Sequence, residues 1–230
     1  MFDRISGRYD LLNRVISFRF DARWRQQVIH AALAGANPHI LDIGTGTGDL
    51  IFDAAKAAKG AGNFVGLDFS IEMLRLACAK RQRIAHGARA VFVMGNAMNV
   101  PFKNATFDGA MSAFVLRNVS DLPLLFGETH RVLKPGGRFV SLDMFPPSRS
   151  WFSALYSVYF HCFMPRIGAL LARDRAAYQY LSDSVRQFHR PETIAALIEQ
   201  AGFKEVKLRK FLSGAVCLLS AVKTKTAETG

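Results

Sequence analysis

Cysteine is scarce in this sequence, with three residues in 230: Cys78, Cys162 and Cys217. Their spacing matches neither a disulfide framework nor a metal site, so a reducing, cytoplasmic compartment is expected. No run of 18 apolar residues occurs, and a transmembrane helix is therefore not expected. The first ten residues, MFDRISGRYD, are charged from the third onward and lack the apolar stretch of a secretory signal. These absences favour a globular intracellular domain.

Acidic residues are also few, since 18 Asp and Glu stand against 30 Lys and Arg, for a net charge of +12. A basic surface can serve solubility, an anionic membrane, an anionic substrate or nucleic acid. The cations are spread along the chain without a Lys/Arg-rich run, and no aromatic-basic module for stacking bases is evident. No nucleic-acid partner is expected. Solubility alone and peripheral contact with anionic lipid, at the inner face of the cytoplasmic membrane, are the two leading interpretations.

The hydrophobic pattern predicts one α/β domain over residues 1–230. Strands and helices alternate with short connections, which is typical of a parallel sheet covered by helices on both faces. One helix is expected to follow the glycine-rich turn at residues 44–48 and to run to about Lys59. Three more are expected from Ile71 to about Arg83 with Ser70 as N-cap, from about Asp121 to Leu133, and over Pro191–Ala201. Strands are expected at His39–Ile43, at a segment ending with Asp68, and at Ala90–Met94, Phe107–Phe114, Arg138–Met144, Phe203–Phe211 and Ala215–Val222.

Two segments outside this alternation are predicted to shape a substrate site. Residues 1–35 form an N-terminal helical cap, in which Tyr9 either faces a substrate or only packs. Residues 146–190 form a helical lid, because Ser150–Ala172 is apolar nearly all round and contains six aromatic residues. Such a helix is buried in protein or faces a hydrophobic ligand or a bilayer.

The stretch from His39 to Phe69 carries the clearest chemical signal. A strand leads into a turn with alternating glycines, Gly44-x-Gly46-x-Gly48, and the next strand ends on Asp68. Glycines let a nucleotide-like ligand approach the backbone, and an acid at this distance can accept hydrogen bonds from ribose hydroxyls. Asp42, just before the turn, suits a ligand with a cationic amine and would repel a pyrophosphate. A turn that binds nothing and a dinucleotide site are the alternatives.

This pattern resembles the first motif of class I methyltransferases that use S-adenosyl-L-methionine (SAM). Their fold is Rossmann-like, with seven mostly parallel strands, an antiparallel last strand and helices on both faces. Asn96 follows the third strand, at the same sheet edge as the glycine turn, and can hydrogen-bond the adenine amino group. The alternative for Asn96 is a local turn that its side chain caps.

Further motifs make the chain similar to the C-methyltransferase family of ubiquinone and menaquinone biosynthesis over almost its whole length. In order, they are Phe2-Asp3-x-Ile5-x-x-Arg8-Tyr9-Asp10-x-x-Asn13, Leu116-Arg117-Asn118-Val119, Arg131-Val132-Leu133-Lys134-Pro135-Gly136-Gly137-Arg138, Tyr178-x-Tyr180-Leu181 and Ala201-Gly202-Phe203. The Leu-Arg-Asn-Val stretch together with the N-terminal Arg-Tyr-Asp is the most specific part of this resemblance.

The resemblance implies SAM as methyl donor and a polyprenyl quinol as the acceptor, methylated on a ring carbon. The cofactor residues implied are Asp42, Gly44, Gly46, Thr47, Asp68, Asn96, Ala97 and Ala113. Arg117 would stabilise the quinol oxyanion and Asn118 would orient it; the alternative for Arg117 is an ordinary surface ion-pair residue. Since arginine is a poor base, the proton would leave through water, with Tyr9 or His161 as candidate acceptors. The oligomeric state stays open, a homodimer being one alternative.

The sequence departs from the family pattern at three places. Ala113-Phe114-Val115 replaces the usual Ser-Phe-Gly, which removes a hydroxyl that touches the cofactor. Asp143-Met144 replaces a Glu-Phe pair, and the final strand lacks a histidine often found there. Two rival functions follow: a SAM enzyme acting on another acceptor, and a SAM-binding protein without catalysis, which the loss at Ala113 would suit.

Overall fold

The computed structural model describes residues 20–84, 89–146 and 175–225, which build a single seven-stranded sheet. The strands are β1 (His39–Ile43), β2 (Asn63–Asp68), β3 (Ala90–Met94), β4 (Phe107–Ala113), β5 (Leu133–Met144), β6 (Phe203–Phe211) and β7 (Val216–Lys223). They lie in the order 3-2-1-4-5-7-6. Strands β3, β2, β1, β4 and β5 pair in parallel, whereas β7 is antiparallel to both of its neighbours. The predicted sheet is thus confirmed.

The helices are α1 (Asp21–Ala32), α2 (Asp49–Ala57), α3 (Ile71–Arg81), α4 (Leu122–Val132), α5 (Arg175–Gln187) and α6 (Pro191–Gln200). The hydroxyl of Ser70 accepts a hydrogen bond from the backbone N–H of Met73 at 3.3 Å, as expected of the N-cap of α3. Asp121 caps α4 in the same way, through Leu124 N–H at 2.9 Å.

The fifth strand begins earlier than the sequence pattern indicates. We expected a turn at Lys134–Gly137 and a strand from Arg138, but Leu133 already pairs with Phe107. Pairing then shifts register before Gly109 meets Arg138. The turn residues therefore form an irregularity inside β5, close to the Lys134–Asp108 ion pair at 2.7 Å.

Helix α5 lies inside the predicted helical lid, residues 146–190, although no separate helix was predicted at these positions. Its apolar positions Tyr178, Leu181 and Val185 continue to Phe188 at spacings of three and four, which is the signal that was missed. Val185 is buried, and the Phe188 ring packs against Phe145 with centroids 5.1 Å apart. The segment that leads back to the sheet is thus fixed to the end of β5.

Two apolar clusters cover the two faces of the sheet. One joins α4 and α6 to the strands and contains the buried rings of Phe107, Phe126, Phe139, Phe145 and Phe203. The other joins α1 and α2 to the opposite face, through side chains such as Trp24, Val28, Ile29, Ile51 and Phe64. Helices on both faces leave the strand ends and their loops as the place where a ligand can bind.

Several predicted features lie outside the described residues. These are the helix from Phe2, Tyr9, His161 and the whole apolar segment Ser150–Ala172. The cap and the lid therefore stay predictions. In the ranges that the structure describes, no helix is both long and apolar enough to cross a bilayer.

Candidate active site

The predicted site residues converge because β1 to β4 are parallel and end at the same edge of the sheet. The loops at this carboxyl edge are 44–48 after β1, 69–70 after β2, 95–97 after β3 and 114–118 after β4. Every predicted site residue except Tyr9 lies in one of these loops or at the end of the strand before it. This edge is the candidate active site.

Asp68 joins the glycine loop to the next helix. Its Oδ2 accepts the backbone N–H of Gly46 at 2.8 Å, and its Oδ1 accepts that of Ser70 at 2.9 Å. The N–H groups of Gly44 and Thr45 both donate to the carbonyl of Leu67, at 2.7 and 3.0 Å. Since each carboxylate oxygen can accept more than one hydrogen bond, Asp68 can shape the loop and also receive ribose hydroxyls.

Asp42 is a buried acid at the base of the same loop. Its side chain accepts a hydrogen bond from the Thr45 hydroxyl at 2.7 Å, and the residue is 1% exposed. Burial raises the pKa of the Asp42 carboxyl to about 7; the Thr45 hydrogen bond opposes this rise and the charge of Asp68 adds to it. The group therefore changes its charge near neutral pH.

We expect SAM to bind more tightly as the pH rises from about 6 to about 7.5. The same proton affects stability. The Asp42 carboxyl keeps its proton to about pH 7 in the folded protein but only to about pH 4 in the unfolded chain, so the free energy of unfolding falls as the pH rises between these values. A SAM amine bound beside Asp42, as predicted, would favour the ionised carboxylate, and this gives a gain in affinity of roughly five- to tenfold between about pH 6 and about pH 7.5. Calorimetric titration of SAM against pH measures it. Asp42→Asn should flatten the profile, whereas an unchanged slope in Asp42→Asn would contradict this role.

Thr47 is held by a lysine that the sequence reasoning missed. The Lys80 ammonium donates to the Thr47 hydroxyl at 2.9 Å and to Asp49 at 2.8 Å. This ties the second half of the loop and the start of α2 to the end of α3. Thr47 is 3% exposed, so the predicted cofactor contact stays a prediction. Lys80 lies 33 positions from Thr47, and no local pattern indicates the pair.

Asn96 forms the local turn that was the alternative to its adenine role. Its Oδ1 accepts the backbone N–H of Met98 at 2.9 Å, and the residue is exposed. Ala97 beside it is partly buried. The sequence pattern gave no signal for Phe69 and Ile71, which follow Asp68 within three positions. The two residues are 68% and 46% exposed. An exposed aromatic ring at this edge can stack on a purine base.

Arg117 lies in the short 3₁₀ turn Leu116–Asn118 after β4 and forms a buried ion pair with Asp143. Its Nη1 donates to Asp143 Oδ1 at 2.6 Å, and the two side chains are 8% and 0% exposed. The guanidinium also lies over the Phe114 ring, 5.8 Å from the centroid. Arg117 is therefore fixed in orientation rather than free at the surface. Asp143 was noted as a departure, but no role was predicted for it.

Asn118 is held between two partners. Its Nδ2 donates to the carbonyl of Phe114 at 3.3 Å, and its Oδ1 accepts the Tyr180 hydroxyl at 3.1 Å. Tyr180 belongs to α5, so the helix that follows residues 147–174 contacts the candidate substrate residues. Ala113 is partly buried at the end of β4, and Phe114 after it has a φ of +62°, an uncommon value for a residue with a side chain.

The sheet order 3-2-1-4-5-7-6 and the joined glycine loop and acid define a class I SAM-dependent methyltransferase. The fold agrees with that of a protein solved in a complex with the Haloferax volcanii Trm112 methyltransferase activator. The TM-score is 0.69 at 17% identity, over 97% of this chain and 98% of the other. At that identity the likeness concerns the fold alone.

Sequence comparison gives the family. The family model described as the ubiE/COQ5 methyltransferase family matches residues 1–223. The demethylmenaquinone methyltransferase of Thermus thermophilus is 43% identical over 203 residues, 88% of this chain and 91% of the relative. The ubiquinone/menaquinone biosynthesis C-methyltransferase UbiE of Syntrophotalea carbinolica is 40% identical over 225 residues, 97% of this chain and 93% of the relative. The chain belongs to the ubiE/COQ5 methyltransferase family and is a SAM-dependent C-methyltransferase, as the sequence resemblance predicted.

Proposed function

We propose that this protein transfers the methyl group of SAM to a ring carbon of a polyprenyl quinol, in menaquinone or ubiquinone biosynthesis. The names of the two relatives given above refer to these pathways. The structural observation that carries the proposal is Arg117, a cation oriented by Asp143 at the edge where the cofactor loop lies. Its Nε–H is buried and has no hydrogen-bond acceptor among the described residues. A buried donor of this kind calls for an acceptor, which a quinol oxygen or a water supplies.

The reaction replaces a ring C–H by C–CH₃, with one proton released and S-adenosylhomocysteine left behind. The nucleophilic carbon is most reactive when the neighbouring hydroxyl is ionised, and a fixed guanidinium stabilises that oxyanion. Asn118, held by Phe114 and Tyr180, can orient the ring. Holding carbon and methyl in line supplies much of the remaining rate. The proton leaves to water, with Tyr9 and His161 as candidate acceptors outside the described residues.

A lipid substrate places the enzyme at the inner face of the cytoplasmic membrane as a peripheral protein. The net charge of +12 favours such contact with anionic lipid. Self-association into a homodimer is a separate property, which the mass of the protein in solution would decide.

The test is methyl transfer from labelled SAM, without oxygen, to reduced demethylmenaquinol and to a reduced methoxy-polyprenyl benzoquinol. We expect label in at least one organic product, and the ratio of the two identifies the pathway. If neither is labelled while SAM still binds, the quinol proposal is wrong. Labelling of another acceptor in a lipid extract would then favour a SAM enzyme that acts on that acceptor. If no acceptor is labelled, a SAM-binding protein without catalysis is favoured.

A further inference from the structure

We propose that one surface at the carboxyl edge of the sheet docks the protein on an anionic membrane. This surface, called here the α1–β6 patch, lies where the first turn of α1 meets the end of β6. It consists of Phe20, Arg23, Trp24, Arg209, Phe211 and Leu212.

The apolar part of the patch exposes Phe20 and Leu212, which are joined through the buried Trp24 ring and the half-buried Phe211. The Phe20 ring stacks on Trp24 with centroids 6.1 Å apart, and Trp24 lies 6.4 Å from the Phe211 ring. Phe20 is 42% exposed, and Leu212, directly after Phe211, is 47% exposed. Leu212 has a φ of +47°, so the chain accepts an unfavourable backbone conformation at the turn that presents this side chain. Aromatic and leucine side chains of this kind insert into the interface of a bilayer.

Cations flank the apolar part. The Arg23 guanidinium lies 5.9 Å from the Phe20 ring centroid, and that of Arg209 lies 5.2 Å from Phe211. Lys207 lies on the same face of β6, two positions before Arg209. All three cations are exposed, and none forms an ion pair with a residue that the structure describes. Unpaired cations around an apolar centre complement anionic lipid headgroups.

The patch lies at the same edge as the candidate active site. Phe211 pairs with Val216, which pairs with Met144 at the carboxyl end of β5, next to Asp143. Helix α1 runs back toward the other edge, since its last carbonyl, at Ala32, lies against Gly109 near the start of β4. Phe20 and Arg23 are therefore at the carboxyl edge. A bilayer docked here lies at the same sheet edge as Arg117. If the proposed quinol substrate is correct, its prenyl tail can stay in the lipid while the ring enters the site.

The test measures binding of the full chain to vesicles of phosphatidylcholine, alone or mixed in equal parts with phosphatidylglycerol. We expect binding to the anionic vesicles only. Each cation near the surface contributes about 1 kcal/mol, so a variant combining Arg23→Gln, Lys207→Gln and Arg209→Gln should bind roughly a hundredfold more weakly. Leu212→Ser should weaken binding several-fold. The matched control combines Lys56→Gln, Lys59→Gln and Lys103→Gln, which removes equal charge from exposed positions elsewhere and should bind within about threefold of the parent.

Equal losses in the two triple variants would overturn the proposal, since net charge and not this surface would then attract the vesicles. A dimer that Leu212→Ser dissociates would also overturn it, because the patch would then be an interface between copies. Methyl transfer to a detergent-solubilised quinol separates this proposal from the function. The patch variants should methylate the detergent-solubilised quinol as the parent does and lose activity only on quinol embedded in vesicles. If the parent protein methylates neither the solubilised nor the embedded quinol, the quinol function is refuted and the docking proposal is unaffected.

Discussion

Arg117→Ala is expected to lower methyl-transfer turnover by about a hundredfold or more and to change the SAM dissociation constant by less than about threefold. The guanidinium is fixed by Asp143 at the end of β5 and lies over the Phe114 ring, at the same sheet edge as the glycine loop. Among the described residues it forms no hydrogen bond to that loop. In the proposed mechanism, its loss removes the charge that would stabilise the quinol oxyanion and leaves the proposed SAM contacts in place. Single-turnover rates with saturating SAM, together with calorimetric SAM binding, measure the two effects separately.

The stability of this variant needs its own control. Removal of Arg117 leaves the fully buried Asp143 carboxylate without its partner, which costs about 3–5 kcal/mol. Arg117→Lys keeps a positive charge beside Asp143 but not the planar fork, so it should remain folded and still lose most of the turnover. Asp143→Glu is the second control, because it keeps the carboxylate and matches the residue usual in the family. Equal losses of turnover and SAM affinity in Arg117→Lys would refute the catalytic role of Arg117.

The parts of this molecule that the sequence predicts well are those fixed by local pattern. The bounds of β1 and β3 and the end of β2 at Asp68 agree with the structure, since each strand is a short apolar run between turn residues. The hydrogen bond from the Gly46 N–H to Asp68 shows that the glycine loop and the acid lie together at one sheet edge, while the predicted ribose contact of Asp68 stays a prediction. The start of β5 at Leu133 differs because pairing with Phe107 depends on a neighbour strand that local spacing does not reveal.

The partners of the site residues could not be predicted, because they come from distant parts of the chain. Asp143 is 26 positions from Arg117, and Tyr180 is 62 from Asn118. Their contacts exist only once the strands are ordered and α5 is placed. The roles predicted for these residues stay predictions, but whether Arg117 is a surface residue or a buried, oriented cation is decided by the fold. The ion pair with Asp143 shows that it is the latter.

Gly44→Ala and Gly46→Ala are expected to fail in opposite ways, although they are two positions apart in one loop. At Gly44, with a φ of +69°, a new Cβ would collide with Val115 Cγ2 and lie 2.8 Å from Val115 Cγ1. The backbone strain and the collision together should lower the free energy of unfolding by about 2–4 kcal/mol. At Gly46, with a φ of +54°, a Cβ would meet nothing within 4 Å. There the loss of stability should stay near 1 kcal/mol, while the methyl group obstructs the cofactor and weakens SAM binding at least tenfold or so.

Urea unfolding and SAM titration of both variants measure this difference, and Val115 supplies a suppressor. Val115→Ala removes both Cγ atoms and leaves the Val115 Cβ at 3.2 Å from the new methyl group. Added to Gly44→Ala, it should restore the part of the stability lost to collision, about 1–3 kcal/mol, but not the part due to φ. Added to Gly46→Ala, it should restore no SAM affinity. If Gly46→Ala instead binds SAM as the parent does, the open side of this glycine is not where the cofactor lies, and the assignment of the loop as its binding site is wrong.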